Sequence, residues 1–226
     1  MKHTFLLTTL LITFFSFSQN QTNRDPGDFH KLQTYDLLKV NLIKSNENKA
    51  VISGKHTGNV VIKNKNGELK VRMGVEKRLS GSETKVDLYY KNIYRIEAKE
   101  GSFVFSKDTI IEPSLFIKSE SGARVSLKVN TSDLVSRALS GGKITLTGAA
   151  RHNKIDAYTG GWVNAKNLTT QTTKVFIKAG GVVDVYATAL LELDLKAGGE
   201  ANVYHKTSKI VEKITLGGVV NYLYKE

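Results

Sequence analysis

The chain has 226 residues, with 33 Lys and Arg against 21 Asp and Glu and a formal charge of +12. It has no cysteine, which excludes a disulfide framework, thiolate metal sites and lipid attachment through a Cys. A chain of this length buries a sizeable core without such staples. The positive surplus suits acidic polysaccharide, anionic head groups or nucleic acid. However, the Lys and Arg residues are scattered singly, with no block of five or six. Lysines spread over outward strand positions also keep a β-rich surface soluble and block edge pairing, and this is the simpler reading.

Residues 1–18 read as a secretory signal peptide. Lys2 and His3 form a short polar start, Phe5 to Phe17 is an apolar run, and Ser16 and Ser18 supply small side chains before Gln19. A membrane-spanning helix needs roughly 20 apolar residues, and neither this run nor any later one reaches that length. The expectation is an exported protein (periplasm, outer-membrane surface or secreted) without a transmembrane segment. Export argues against nucleic acid as a partner.

Residues 19–28 (QNQTNRDPGD) are polar with a Pro-Gly turn, and read as a disordered leader. An N-terminal β section is expected over 29–112. It is a succession of short alternating runs, such as Tyr35 to Lys44 and Val86 to Tyr90, separated by Asn, Gly and Lys. Asn66-Gly67 within NKNGELKV is a hairpin signal, because that turn type needs positive φ.

From 113 to 226 a repeat emerges. The pairs Gly122-Ala123, Gly141-Gly142, Gly160-Gly161, Gly180-Gly181, Gly198-Gly199 and Gly217-Gly218 start 19, 19, 20, 18 and 19 residues apart. Two residues after each pair stand Val125, Ile144, Val163, Val183, Ala201 and Val220, and four after stand Leu127, Leu146, Ala165, Val185, Val203 and Tyr222. Between them lie Ser126, Thr145, Asn164, Asp184, Asn202 and Asn221. That is the alternation of a strand with one buried face. A unit of this length buries too little alone and must stack on its neighbours. Gly suits the bends because it accepts positive φ and lets backbones approach closely. The predicted fold is all-β, a right-handed parallel β-helix of about six Gly-Gly-centred coils. An antiparallel meander with Gly-Gly turns is the competing reading.

The strings SGGKITL, AGGVVDV and AGGEANV, with the opening YDLLKVNLIKS and NGELKVRM segments, resemble the putative auto-transporter adhesin, head GIN domain family. The resemblance covers roughly Phe29 to Tyr224. Gly101-Ser102 opens a copy that fits the columns poorly. The resemblance implies a parallel β-helix from an exported protein of the Bacteroidetes type, with no established enzymatic activity.

The catalytic inventory is thin. The five histidines have no ligand partner at metal spacing, and no HExxH, GxSxG or phosphate loop occurs. No catalytic residue, metal or cofactor is therefore expected. Asp156, Asp184 and Asp194 are the ladder acids a polysaccharide lyase or glycosidase would use. Asp156 and Asp194 fall two coils apart, and solvated outward positions explain them. The candidate binding face is Trp162 with the polar column Asn164, Asp184, Asn202 and Asn221. Stacked amides can hydrogen-bond along an axis, though small polar residues also suit an outward position near a bend. Tyr186, Tyr204, Tyr222 and Tyr224 gather nearby. The leading function is a non-catalytic envelope or surface protein, an adhesin-like binder of glycan or protein. A polysaccharide-acting enzyme and an end-to-end self-associating module are the alternatives.

Overall fold

The computed structural model describes residues 21–224, so the segment read as a signal peptide lies outside the described residues. Within the described residues seventeen strands form one continuous sheet wound into a parallel β-solenoid. Four long strands, β9 (Phe103–Glu120), β10 (Arg124–Leu139), β11 (Lys143–Tyr158) and β12 (Trp162–Lys178), each make most of one coil. Each returns beside its own start after 19 to 21 residues, as in Phe103↔Arg124, Arg124↔Lys143 and Trp162↔Val182. A strand that does this must bend. The bend shows as a change of phase: Val129 and Thr131 point inward, Ser132 and Asp133 both face solvent, and Leu134 points inward again. Beyond β12 the coils split into β13 (Val182–Val185), β14 (Ala187–Lys196), β15 (Glu200–Val203), β16 (Lys209–Thr215) and β17 (Val219–Tyr222).

The paired offsets follow the glycine spacing. The 20-residue coil has one extra residue where Thr147 pairs Asn167, and the 18-residue coil pairs Val183 with Ala201. Like therefore stacks on like. Val104, Val125, Ile144, Val163, Val183 and Ala201 form one inward column, each at most 2 % exposed.

The coil corners divide their work between two residues. The residue before each pair and the first Gly both have positive φ, for example Ser140 (48°) with Gly141 (73°) and Thr159 (49°) with Gly160 (71°). A turn of this kind is closed by Gly142 N–H donating to Leu139 O at 2.9 Å and Gly161 N–H to Tyr158 O at 3.0 Å. A non-Gly residue in this conformation costs about 1–2 kcal/mol. Rung-to-rung bonds through the corner offset that cost, as in Gly122 N–H to Ser140 O and Gly141 N–H to Thr159 O, both 3.2 Å. The second Gly has a different task. A Cβ on Gly161 would stand 2.0 Å from Ala138 O, while one on Gly160 would meet nothing.

The solenoid has about seven turns, one more than the six expected. The additional corner is Glu100-Gly101. That copy is regular in space, with Val104 in the buried column and Ser102 fully buried. It looked irregular because β9 carries two extra residues between Phe105 and Thr109.

The N-terminal section continues the same solenoid, but out of chain order. Strand β3 (Lys39–Lys44) lies parallel between β7 (Thr84–Tyr90) and β9, and β2 (Lys31–Thr34) lies between β6 (Glu68–Met73) and β8 (Arg95–Ala98). Asp36 and Leu37, both at positive φ, make the corner of this interleaved coil. Antiparallel strands close the end: β4 (Lys49–Gly54) on β7, β5 (Val60–Lys65) on β6, and β1 (Thr22–Arg24) on β4. Asn66-Gly67 makes the β5–β6 hairpin turn with φ of 53° and 76°.

The leader reading needs correction over its described part. Thr22–Arg24 pairs with Ala50–Ile52, and Pro26 is buried with its carbonyl accepting from Asn64 Nδ2 at 2.8 Å. Unpaired backbone on β4 supplies partners that a polar composition does not reveal.

Candidate functional site

One sheet of the solenoid follows the Gly corners and stacks β7, β3, β9, β10, β11, β12, β13, β15 and β17. Its central outward column runs Asp87, Asn41, Phe105, Ser126, Thr145, Asn164, Asp184, Asn202, Asn221. Strand spacing of about 4.8 Å brings these side chains within reach of one another.

The far end of the column is a bonded ladder. Asn221 Nδ2 donates to Asn202 Oδ1 at 2.9 Å and to Glu200 Oε1 at 3.0 Å. Asn202 Nδ2 donates to Asp184 Oδ1 at 3.0 Å, and Trp162 Nε1 donates to Asp184 Oδ2 at 3.0 Å. Asp184 and Asn202 are consequently buried, at 7 % and 9 % exposed. These residues were expected on an open outward face, and the structure corrects this. The Trp162 indole closes over the column, and both Asp184 oxygens are occupied. Burial, then the carboxylates of Asp184 and Glu200, push the nearby Tyr204 phenol above its usual range. Tyr186 stacks on His205 at 4.4 Å and walls the same end.

The middle of the sheet is different. Ser126, Thr145 and Asn164 make no side-chain hydrogen bond among the described residues. Trp162 is 37 % exposed, with Lys143 Nζ 5.6 Å from its ring centre. The outward positions of Phe103–Phe105, Arg124–Lys128, Lys143–Thr147 and Trp162–Lys166 include Arg124, Lys128, Lys143 and Lys166 but no carboxylate. Among the described residues none of these four cations enters a salt bridge. Arg124 lies 5.0 Å from the Phe103 ring and Lys166 lies 5.7 Å from that of Tyr204, so aromatic faces orient them.

On the sheet that precedes the corners, Glu97, Glu120, Asp156 and Glu192 are each matched by a base, while Lys154 and Lys178 enter no salt bridge among the described residues. Glu97 contacts Arg95 at 2.5 Å and Lys99 at 3.3 Å, Glu120 contacts Lys118 at 2.5 Å, and Glu192 contacts Lys174 at 3.0 Å. Asp156, read as a solvated outward acid, is 4 % exposed and paired with Arg137 at 2.8 Å. Phe176 stands in register between Asp156 and Asp194, so the two acids do not converge. Among the described residues no group of three or more His, Asp or Glu side chains is placed to hold a metal.

Sequence reasoning singled out Trp162 and Asn164, with Lys166 beside the Trp, and passed over Arg124, Lys128 and Lys143. They form no charge run. Arg124 and Lys143 are 19 residues apart and become neighbours only when the coils stack. Reading cations down the repeat columns would have found them. A shallow groove of about 640 Å³ also runs over the second bend, lined by Ile111, Asn130, Ala149, Arg151, Thr169 and Gln171.

Residues 28–206 match the family described as putative auto-transporter adhesin, head GIN domain. The chain belongs to that family. Solved structures of similar fold are known. A putative adhesin from Bacteroides fragilis superposes with a TM-score of 0.81 at 15 % identity, covering 92 % of this chain and 98 % of the other. A putative adhesin from Parabacteroides merdae gives 0.66 at 16 %, covering 93 % and 98 %. A protein described as a putative lipid binding protein from Parabacteroides distasonis gives 0.70 at 13 %, covering 93 % and 98 %. At these identities the likeness establishes the fold alone. No curated protein matches the chain.

Proposed function

We propose that this head GIN protein is an exported, non-catalytic surface module that binds glycan on the β10–β12 part of its post-corner sheet. The observation that carries this reading is Trp162. It is partly exposed, fixed in orientation by its bond to Asp184, and set beside an unbonded Ser126–Thr145–Asn164 column. A sugar ring can stack on the indole while its hydroxyls meet the column, and a fixed platform lowers the ordering cost of binding. No helix among the described residues is long and apolar enough to cross a membrane. The polysaccharide-acting alternative gains little from Asp156 and Asp194, which are paired with Arg137 and Lys196 and separated by Phe176.

An immobilised array of neutral and acidic glycans tests this. The protein is expected to retain at least one glycan, with no unsaturated or shortened product. Trp162→Ala should weaken retention about tenfold, the scale of one stacking contact of roughly 1–1.5 kcal/mol. Retention of no glycan would remove the proposal, and calcium-dependent product release would replace it with the enzyme reading.

A second reading, self-association, rests on the last coil. Among the described residues β16 pairs only with β14, and β17 only with β15. Ile214, Leu216, Val219 and Tyr222 are 46 %, 86 %, 54 % and 44 % exposed. An open, apolar strand edge is a template for a second chain. Light scattering is expected to show mass rising with concentration, and Tyr222→Lys should return it to the monomer value. A monomer at all concentrations would sink this reading.

A further inference from the structure

We infer that the glycan this sheet takes is an acidic one, a uronate- or sulfate-bearing polymer laid along the solenoid axis over Arg124, Lys128, Lys143 and Lys166. The inference rests on the glycan-binding reading and adds the charge class of the ligand. It starts from where unpaired cations gather around one polar column. On the pre-corner sheet the cations beside Glu97, Glu120, Asp156 and Glu192 are matched at 2.5–3.3 Å. On the outward positions of Phe103–Phe105, Arg124–Lys128, Lys143–Thr147 and Trp162–Lys166 four cations stand with no carboxylate among them, and the exposed Asp108 lies beyond Phe105, next to Thr109, which pairs with Lys128.

Their arrangement is linear. Arg124 and Lys143 are direct cross-strand partners, and Trp162 follows Lys143 in the same column. Lys128 and Lys166 lie on the other side of the Ser126–Thr145–Asn164 column. The column and the Arg124–Lys143 pair therefore run along the stacking direction, with about 4.8 Å between successive rungs, while Lys128 and Lys166 stand two coils apart on the other flank, with Thr147 on the coil between them. A polymer with one negative group per sugar can meet cations on both flanks while its hydroxyls face the column. Like charges this close repel one another in the free protein, and an anion relieves that repulsion. A membrane surface fits less well. Trp162 is the only large apolar side chain of this stretch among those that are more than a third exposed, so little can insert. Nucleic acid would meet the same cations, but the surface reading and the hydroxyl-and-amide column favour a sugar.

The experiment measures binding of the whole protein to polygalacturonate, dextran, single-stranded DNA and phosphatidylglycerol vesicles. Three proteins are compared: the parent, Arg124→Ser/Lys143→Ser, and Lys154→Ser/Lys178→Ser, which removes the same charge from exposed positions of the other sheet. The inference expects polygalacturonate to bind better than dextran. That binding should weaken strongly from about 0.1 M to about 1 M salt, over which the screening length falls from about 10 Å to about 3 Å. The Arg124/Lys143 variant should lose at least tenfold, and the Lys154/Lys178 variant less than threefold. Preference for dextran, unaffected by the Arg124/Lys143 change, overturns the acidic assignment while leaving glycan binding standing. Equal losses in both variants, or DNA bound as well as polygalacturonate, reduce the patch to general charge attraction and also overturn it. Vesicles bound in place of the polymer reassign the surface to lipid. Failure to bind any sugar removes the function proposal together with this inference.

Discussion

Val183→Asp is expected to leave no folded protein, while Lys178→Asp should melt within about 1–2 °C of the parent. Val183 is fully buried, with Val163 below it and Ala201 above in the inward column. A carboxylate there has no cation to pair with and no water to solvate it. The cost is several kcal/mol even after the group takes up a proton, against a total stability of about 5–15 kcal/mol for a domain. Stacking compounds the damage, because each coil relies on the next to cover its face. Lys178 points to solvent at the end of β12. Soluble yield and the far-ultraviolet circular dichroism melt measure both. Equal damage from the two changes would sink the assignment of inward and outward columns.

Gly161→Ala is expected to cost about 3 kcal/mol, well above Gly160→Asn, although the two glycines are adjacent. The Gly161 φ lies outside the left-handed region, but its Cβ would stand 2.0 Å from Ala138 O and 3.1 Å from Ala138 Cβ. Relief requires two coils to move apart, and overpacking of this kind typically costs 1–3 kcal/mol. Gly160 has φ +71° with open space around it, and Asn tolerates that conformation better than other side chains. Its replacement should cost about 1 kcal/mol. Denaturant titration of both variants gives the comparison, and a Gly160→Asn loss as large as that of Gly161→Ala would falsify the division of labour at the corner.

The column pattern made the C-terminal coils legible, because stacking forces Val on Ile on Val at one period and leaves that period in the sequence. Two things were not legible for physical reasons. The interleaving of β2 and β3 leaves no local mark, since alternation along Lys39–Lys44 tells which face is buried and not which strands lie alongside. The coil at Gly101 was obscured by the extra residues of β9, which shift the frame without disturbing the stack. For the site, the polar column could be read and its burial could not. Whether Asp184 meets solvent depends on where the Trp162 indole lies, and that is set across a coil boundary. A further regularity appears only in space. Where the residue under the second Gly is Ser119, Ala138 or Ala157, that Gly is not in the left-handed region. Over Ile177 and Leu195, Gly199 and Gly218 turn to φ +110° and +143°. The larger side chain below coincides with a backbone that only glycine adopts readily.

The interleaved coil gives the two ends of the molecule opposite characters during assembly. The C-terminal rungs can zip onto the stack one at a time, each needing only the rung before it. Lys31–Lys44 is made early in synthesis, yet it has no seat until Glu68–Tyr90 and Arg95–Phe105 are both available to flank it. This coil therefore waits for strands made 37 to 64 residues later, and the loop closures this demands slow its docking. Once seated, it is held on both sides and cannot peel away by itself. Among the described residues the interleaved coil is thus held by strands on both sides, while the rung of β16 and β17 is held on one.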